Sequence, residues 1–247
     1  MIIGWFSGGA TSAVACKLAL ESNPDVQLMY IETGSHHPDA NRFLADCERW
    51  YQRDIKILRS DKYTDVFDVI KKTRYLNGPT GARCTAELKR KIREKFEREN
   101  EVKGHVWGFD SDPKEKMRAK RMLDRYPNFQ HIFPLIDQEL SKEDCLNRLV
   151  DAGIELPAMY RLGYSNANCV GCVKGGKSYW ARIRRDFPEV FDTMAKLERE
   201  IGRSCLRGCF LDELPIDTPL TKPIVADCGS IGEGCEIQLS REYLSRE

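Results

Sequence analysis

The sequence predicts an α/β protein with a Rossmann-like parallel sheet and helices on both faces, plus a cysteine-rich C-terminal appendage. Short apolar runs alternate with helix-forming stretches before about residue 153, and this alternation is typical of a parallel sheet with helical crossovers. A Ser-Gly-Gly turn directly follows the first apolar run and precedes the first helical stretch. After residue 153 the composition shifts to loops rich in Gly, Asn and Cys, which predicts a different kind of structure there.

The pattern of apolar residues places the elements along the chain. Strands are predicted at residues 2–6, 26–31, 55–58, 105–109 and 131–135. Helices are predicted at residues 12–20, 39–50, 64–73, 84–99, 114–125, 141–152 and 188–202. We therefore expect an α/β domain over residues 1–153 and a cysteine-rich region over residues 154–247 that packs on it.

Composition and charge favour a globular protein without a general affinity for polyanions. The 247 residues are 41% hydrophobic and 31% charged, and the formal net charge is +1. Such a chain has no overall field that attracts nucleic acid or a membrane surface. The N-terminus carries no basic lead, and no window approaches the roughly 20 apolar residues of a membrane span. We predict a cytoplasmic location and no membrane partner.

The cysteines point to metal, cluster or thiol chemistry. Ten cysteines in a mid-sized chain without an export signal favour these uses over a disulfide framework. Cys169 and Cys172 form a Cys-x-x-Cys turn, whose two thiolates suit a tetrahedral zinc ion or one side of an iron–sulfur cluster. Cys16, Cys47 and Cys145 fall on apolar helix faces, which predicts core positions.

The turn Ser7-Gly8-Gly9-Ala10-Thr11-Ser12 is predicted to bind phosphate. A glycine-rich turn between strand and helix places backbone N–H groups and the positive end of the helix dipole at the carboxyl edge of the sheet. Its spelling fits neither the dinucleotide-binding pattern nor the Walker pattern. The alternative interpretation is a turn that needs glycine for its backbone angles alone.

Several segments together resemble one family. The loop resembles S-G-G-x-x-S of the PP-loop superfamily, also called adenine nucleotide alpha-hydrolases. Within it, Glu32-Thr33-Gly34 and Pro38-Asp39-Ala40 are similar to the D-T-G-x-x-x-P-E-T element of the phosphoadenosine phosphosulfate (PAPS) reductase-like family. Residues 156–172 resemble the L-Y-x-x-G-Y-x-S-I-G-C-x-x-C segment of the reductases. The resemblance covers about residues 2–175, and phage-type and DNA-phosphorothioation sulfurtransferase-like members are the most similar.

The resemblance implies an adenine nucleotide-binding fold of the alpha-hydrolase type, with ATP or another adenine nucleotide as ligand. Lys89 and Gly108 match family positions near the nucleotide, and Arg118 and Arg121 come from a basic cluster for which a plain surface helix is the alternative. The nucleotide-binding candidates are Ser7, Gly8, Gly9, Thr11, Ser12, Glu32, Thr33, Gly34, Lys89, Gly108, Arg118 and Arg121. His36 and His37, in the loop after the second strand, are candidates for proximity to the nucleotide or for simple exposure.

The resemblance also implies a [4Fe–4S] cluster. Cluster-bearing reductases combine a Cys-Cys pair with a later Cys-x-x-Cys, and here Cys84 alone occupies the place of the pair. Cys84, Cys169 and Cys172 therefore leave one ligand to be found. The candidates for it are, in order, Cys228, Cys235, Cys205 and Cys209. The alternative is a structural zinc site in which Cys169 and Cys172 join Cys205 and Cys209.

Two cysteines near the C-terminus are the candidate catalytic thiols, Cys228 and Cys235. Asp227-Cys228-Gly229 resembles the Glu-Cys-Gly of the reductases' C-terminal nucleophile. The histidine that follows in the family is absent, since Ser230 and Ile231 stand there. A ligand or persulfide-carrying role for Cys228 therefore stays open beside the nucleophilic one.

Three functions are consistent with these residues. In the first, ATP adenylates a substrate, nucleic acid among the candidates, and sulfur from a cysteine or cluster site replaces the activated group, with a cysteine desulfurase as donor. The second is phosphoadenylyl-sulfate or adenylyl-sulfate reduction, with Cys228 as nucleophile and a thioredoxin-like partner. The third is a non-catalytic nucleotide-binding regulator with a zinc-stapled tail, which Thr11 favours because the family usually has an acidic residue there. A homodimer is a candidate assembly.

A basic strip after the Cys-x-x-Cys turn is a candidate contact for nucleic acid. It contains Lys174, Lys177, Arg182, Arg184 and Arg185, with Tyr179 and Trp180 interleaved. Aromatic side chains between basic residues are typical of surfaces on which bases stack.

Overall fold

A five-stranded parallel sheet organises the computed structural model, which describes residues 1–78 and 81–220. The strands are β1 (Ile2–Phe6), β2 (Gln27–Ile31), β3 (Lys56–Leu58), β4 (Gly104–Val106) and β5 (Gln130–Ile132). They lie in the order β3-β2-β1-β4-β5, and every neighbouring pair is parallel. The α/β fold predicted from the sequence is confirmed.

The strands β4 and β5 are shorter than the apolar runs that predicted them. Trp107 and Phe109 stack at a ring distance of 6.1 Å, and Phe109 stacks on Phe133 at 5.8 Å. These residues are buried because they form an aromatic stack beyond the last strand residues. In both places the apolar run of the sequence continues beyond the end of the strand.

The helices follow the predicted order with some additions. They are α1 (Ala10–Ser22), α2 (Ala40–Tyr51), α3 (Val66–Thr73), α4 (Arg83–Thr85), a π-helical turn (Ala86–Arg90), α5 (Lys91–Glu99), α6 (Pro113–Arg125), α7 (Pro134–Asp137), α8 (Lys142–Asp151), α9 (Ala158–Arg161), α10 (Lys177–Asp186) and α11 (Pro188–Ile201), with a 3-10 turn at Leu211–Glu213. The helix predicted over 84–99 is thus interrupted by a π-helical turn, a widening that is frequent at functional sites. Within the described ranges, none of these helices has the length and apolar character needed to cross a membrane.

The helix α1 is apolar around most of its circumference because it packs between the sheet and other helices. Val14 and Cys16 are 1% exposed, and the helix contacts β1, α7 and α8. Cys47 and Cys145 lie in the same hydrophobic cluster and are fully buried. The predicted core positions of these three cysteines are confirmed.

The contacts divide the described residues into two compact units. Unit 1 consists of Met1–Glu32, Pro38–Leu58 and Arg93–Arg161, and it contains the whole sheet. Unit 2 consists of Thr33–His37, Arg59–Ile92 and the described residues from Leu162 onward. Segments on both sides of β3 therefore group with the C-terminal residues. The sequence had predicted a single domain boundary at residue 153.

The strand order reverses next to β1. From β1 the chain moves outward to β2 and β3, and it then returns to β4 on the other side of β1. In open α/β sheets, ligands bind at the carboxyl ends of the strands at such a switch point. The predicted phosphate loop follows β1 and Gly108 follows β4, so both candidate segments lie where the topology favours a ligand.

Two tryptophan–histidine pairs lie side by side in unit 1. Trp5 Nε1 donates to His105 Nδ1 at 3.0 Å, and Trp107 Nε1 donates to His131 Nδ1 at 2.9 Å. An indole N–H can only donate, so both Nδ1 atoms accept and each neutral imidazole carries its proton on Nε2. The Nε2 of His105 lies 3.3 Å from Glu97 Oε1. These histidines are polar parts of the core.

Candidate nucleotide loop and cysteine cavity

The loop after β1 is closed by its two serines. The hydroxyl of Ser12 accepts from the Ser7 N–H at 3.0 Å and from the Ser7 hydroxyl at 2.9 Å, and it donates to the Gly9 carbonyl at 2.9 Å. Gly8 has a φ of +79°, a backbone conformation that favours glycine. The side chains of the serine pair therefore shape the loop, and we expect phosphate contacts to come mainly from backbone N–H groups.

The start of α1 has the character of an anion site. Its N-cap is Gly9, which supplies no side-chain hydrogen bond, and no acidic residue stands in the first turn. The Ala10 N–H donates to the Tyr160 hydroxyl at 3.3 Å. A β-carbon on Gly9 would lie 3.3 Å from that hydroxyl, so glycine at this position lets Tyr160 approach the loop. The positive end of the helix dipole favours a phosphate here.

A clamp on α9 holds Tyr160 in place. Asp39 accepts the N–H of Ala158 at 2.7 Å and pairs with Arg42 at 2.7 Å. Arg42 also donates to the carbonyl of Glu155 at 3.0 Å. The hydrogen bond from Arg42 lowers the pKa of Asp39 to about 2. The Pro38-Asp39-Ala40 element therefore positions the segment that carries Tyr160.

Gly108 touches the loop backbone. A β-carbon at this position would lie 2.6 Å from Ser12 Cα and 2.8 Å from Ser12 N, which is closer than real β-carbons approach other atoms. The loop after β1 can take its position only because residue 108 has no side chain. The structure thus brings Gly108 to the phosphate loop, as the sequence predicted, and gives it a steric role.

The two predicted arginines lie on α6, where Arg118 is buried and Arg121 is half-buried. The Arg118 guanidinium lies 4.5 Å from the centre of the Phe109 ring and pairs with Glu115 at 3.1 Å. Arg118 is 5% exposed. The Nε of Arg121 is buried and has no hydrogen-bond partner among the described residues. Arg118 therefore braces α6 against the aromatic stack, and its role at a phosphate stays a prediction.

The predicted nucleotide segment at residues 32–34 is divided between the units. The Glu32 N–H donates to the Leu58 carbonyl at 2.9 Å in unit 1. Thr33 belongs to unit 2, where its hydroxyl lies 3.1 Å from the sulfur of Cys169. Gly34 has a φ of +70°, and a β-carbon there would lie 1.9 Å from the Thr64 carbonyl. The sequence did not suggest that Thr33 contacts Cys169 or that Gly34 packs against the backbone of Thr64.

A small cavity in unit 2 gathers the chemistry-bearing residues. It is lined by Thr33, Val66, Cys84, Thr85, Leu88, Lys89, Cys169, Cys172 and Val173. The side chain of Lys89 comes from the π-helical turn and is 8% exposed. A buried ammonium group is costly unless negative charge lies near it. The cavity therefore combines three thiols with a buried cation.

The Cys-x-x-Cys turn is fixed by hydrogen bonds from both sides. Tyr179 on α10 accepts the Cys172 N–H at 2.8 Å and donates to the Cys169 carbonyl at 3.1 Å. Gly171 has a φ of +78°, and a β-carbon there would lie 2.7 Å from Val190 Cγ1. The glycine lets the turn pack on α11, so both thiols have defined positions.

The surroundings of Cys169 in this cavity favour its thiolate form. Burial raises its pKa, but the charge and hydrogen bond of His36, the charge of Lys89 and the hydrogen bond of Thr33 outweigh burial and lower it to about 6. By contrast, burial raises the pKa of Cys145 in the core to about 12. The cavity therefore stabilises a thiolate, the form that acts as nucleophile and metal ligand.

We expect metal-free protein to contain a thiolate at Cys169 at neutral pH. The ultraviolet absorbance of thiolates is measured against pH in wild type and in Cys169→Ser. The difference between the two should appear with a midpoint near pH 6, because the Cys169 thiol loses its proton as the pH rises through its lowered pKa. Lys89→Met should raise this midpoint. Cys145→Ser, the control, should remove no absorbance step between about pH 5 and pH 8. A Cys169 midpoint near 9 would contradict the role given to His36 and Lys89.

The remaining cysteines divide into two groups. Cys205 and Cys209 lie in the loop after α11 and are half-buried free thiols. Cys228 and Cys235, predicted as catalytic residues and as a ligand, lie outside the described residues. Within residues 1–78 and 81–220, no three Cys, His, Asp or Glu side chains surround one point as the ligands of a single metal ion.

The basic strip on α10 is used within the protein. Arg184 donates to the carbonyls of Leu214 and Pro215 at 2.6 and 2.7 Å. Tyr179 and Trp180 are 3% and 0% exposed. The prediction that these aromatic rings stack on bases is therefore wrong, because they pack in the interior of unit 2.

Comparisons with known proteins agree with this architecture. The model of the phosphoadenosine phosphosulfate reductase domain family matches residues 2–177. The chain belongs to this family.

Two individual proteins show how far the similarity extends. An uncharacterized protein of Methanocaldococcus jannaschii is 21% identical over 201 residues, which cover 80% of this chain and 47% of that protein. The chain thus spans about half the length of this relative. The crystal structure of a PAPS reductase from Candida auris, a phosphate complex, has a TM-score of 0.51 at 12% identity and covers 68% of this chain and 80% of that chain. This second similarity shows a shared fold.

Proposed function

We propose that the chain uses an adenine nucleotide to activate a substrate oxygen and replaces the activated group with sulfur handled by the cysteines of unit 2. Family membership supports a nucleotide-dependent enzyme. The observation that carries the sulfur chemistry is the cavity that Cys84, Cys169 and Cys172 line together with Lys89. A structural zinc knot does not need a buried lysine or a thiol with a lowered pKa.

The loop of unit 1 would perform the nucleotide half of the reaction. Its glycines and the first turn of α1 present N–H groups and a helix dipole to the phosphates of ATP. Attack of a substrate oxygen on the α-phosphorus forms the adenylated substrate and releases pyrophosphate. Negative charge that develops on the phosphates is stabilised by donors already in position. The Ser7–Ser12 pair keeps those donors in place.

The cavity of unit 2 would perform the sulfur half. His36, Lys89 and Thr33 favour the thiolate of Cys169. Hydrosulfide held beside the cavity thiolates would attack the adenylated position, displace AMP and remain on the substrate as its new sulfur atom. Hydrosulfide for the next turnover would come from the persulfide of a cysteine desulfurase, cleaved by a thioredoxin-like dithiol that is oxidised to its disulfide. Nucleic acid is a candidate substrate, because its oxygens can be activated in this way.

The donor set of the cavity fits a thiophilic metal centre. Cys84, Cys169 and Cys172 would hold it as thiolates. Thiolates are the usual protein ligands of iron–sulfur clusters and are common ligands of zinc. When bound, a [4Fe–4S] cluster would supply iron that can carry a sulfur atom. We propose the cluster, with zinc as the alternative.

Sulfonucleotide reduction is the second candidate, and the family's own activity favours it. In that reaction the bound nucleotide is the substrate. A cysteine thiolate attacks the sulfonate sulfur and displaces the nucleotide, and a thioredoxin-like dithiol then reduces the thiosulfonate and releases sulfite. The low pKa of Cys169 suits such a nucleophile, and Cys228 is the family-based candidate.

One product assay separates the two reactions. Purified protein is incubated anaerobically with magnesium and ATP plus nucleic acid, or with PAPS plus thioredoxin, and pyrophosphate and sulfite are measured. We expect pyrophosphate and AMP from ATP and no sulfite, and we expect Gly9→Val to abolish the products because the side chain meets Tyr160 at the loop. Sulfite from PAPS without pyrophosphate from ATP would establish the reductase. If neither pyrophosphate nor sulfite is formed, both proposed activities are contradicted.

A further inference from the structure

The hydroxyl of Tyr160 borders the loop after β1 from the outside. It accepts the N–H of Ala10 at 3.3 Å, from a position 150 residues further along the chain. A β-carbon on Gly9 would lie 3.3 Å from this hydroxyl and 3.9 Å from the hydroxyl of Ser7. Two side-chain hydroxyls, one from the loop and one from α9, therefore flank the space that glycine leaves open at position 9.

The N–H that Tyr160 accepts is shielded from solvent. Ala10 is 0% exposed, so a ligand outside the protein does not reach its backbone directly. Tyr160 and Gly9 are half-buried and have atoms at the surface. The tyrosine is therefore placed between a buried donor of the loop and the space in which a ligand would lie.

The chemistry of a tyrosine hydroxyl suits this position. The hydroxyl can accept one hydrogen bond and donate another. Accepting the Ala10 N–H polarises the hydroxyl and makes it a stronger donor. Hydrogen bonds to charged acceptors such as phosphate oxygens are among the strong ones, and the positive end of the α1 dipole favours an anion here.

The side chain of Tyr160 is held from several directions. Its ring packs against the hydrophobic core of unit 1, and the Nζ of Lys142 lies 5.4 Å from the ring centre. Arg42 donates to the carbonyl of Leu156 at 3.2 Å, which adds to the clamp that Asp39 forms on α9. A ligand-binding group needs such support, because its hydroxyl must stay at a defined place.

We propose that Tyr160 is a nucleotide-binding residue, whose hydroxyl accepts the Ala10 N–H and donates to a phosphate oxygen of the bound nucleotide. This inference rests on the proposed role of the loop in nucleotide binding. It adds a side-chain donor to the backbone donors of the loop, and this donor comes from α9, far from the loop in the sequence.

The substitution Tyr160→Phe removes the hydroxyl and keeps the ring. Binding of ATP and of adenosine is measured by calorimetry. We expect ATP to bind at least about tenfold more weakly than in wild type, because a hydrogen bond to a charged acceptor is lost. Adenosine has no phosphate and should bind as in wild type. Unchanged or tighter binding of ATP would overturn the inference, and so would an equal loss for adenosine.

Tyr164→Phe is the matched control for this substitution. Tyr164 lies four positions further along the chain, and its hydroxyl donates to Asp186 at 2.9 Å. The control removes the same atom from another half-buried hydrogen bond of the protein, and it should bind ATP as wild type does. A loss of ATP binding as large as that of Tyr160→Phe would overturn the specific role of Tyr160.

A crystal structure of wild-type protein with a non-hydrolysable ATP analogue tests the contact without a variant. We expect the Tyr160 oxygen within about 3.2 Å of a phosphate oxygen, with the bond from the Ala10 N–H retained. No phosphate oxygen within that distance, or a phosphate oxygen in place of the tyrosine at the Ala10 N–H, would overturn the inference. Wild-type protein that binds no ATP would instead contradict the proposed function of the loop, and the inference with it.

Discussion

Replacing Gly108 by alanine should weaken ATP binding by about fivefold to about 150-fold. The new β-carbon would lie 2.6 Å from Ser12 Cα and 2.8 Å from Ser12 N, so the phosphate loop must move. Forcing a methyl group into a packed site costs about 1–3 kcal/mol, and 1.4 kcal/mol corresponds to tenfold in affinity. If the proposed role of this loop is correct, the cost falls on nucleotide binding, because the shifted atoms belong to the loop.

Equilibrium binding of ATP measured by calorimetry tests this expectation. The matched control is Gly176→Ala at the start of α10, where a β-carbon meets no atom within 4 Å. The control should bind ATP like wild type, and thermal unfolding of both variants checks that they are folded. Wild-type affinity in a folded Gly108→Ala protein would remove the loop from the nucleotide site.

Acid should destabilise the protein through His105 by about 2 kcal/mol between pH 7 and pH 5. Burial, followed by the charges of Arg93 and His131, lowers the pKa of His105 from 6.5 to about 3. The unfolded chain takes up a proton below pH 6.5, while the folded protein stays neutral at this residue down to about pH 3. The unfolded state therefore binds more protons, and the free energy of unfolding falls as the pH falls through this window.

Urea unfolding at pH 7 and pH 5 measures the effect. His105→Asn retains an oxygen that can accept from Trp5 Nε1 and cannot titrate, so its loss of stability on acidification should be smaller by about 2 kcal/mol. An identical pH dependence in His105→Asn and wild type would show that His105 is protonated in the folded state.

The sheet and the glycine turn after its first strand could be predicted because their signals are local. Residues 2–6 form an apolar run that ends at a glycine turn, and residues 26–31 repeat the pattern. Each strand needs only its own few residues to be recognised. The ends of β4 and β5 could not be predicted. Trp107 and Phe133 follow these strands and stack on neighbouring rings, but in the sequence they look the same as apolar residues inside a strand.

The cysteine cavity was predicted only in part. The Cys-x-x-Cys spacing identified Cys169 and Cys172, and family resemblance added Cys84. Thr33 lies 136 positions from Cys169 in the sequence, and no local pattern announces such a contact.

The combination of a nucleotide loop with a thiolate-bound cluster is tested most directly by metal analysis of anaerobically purified wild-type protein. Iron, acid-labile sulfide and zinc are measured per chain on the same sample. The proposed chemistry predicts about four iron and about four sulfide atoms, as in a [4Fe–4S] cluster held by four cysteines, with little zinc. Zinc without iron, or neither metal, would contradict it.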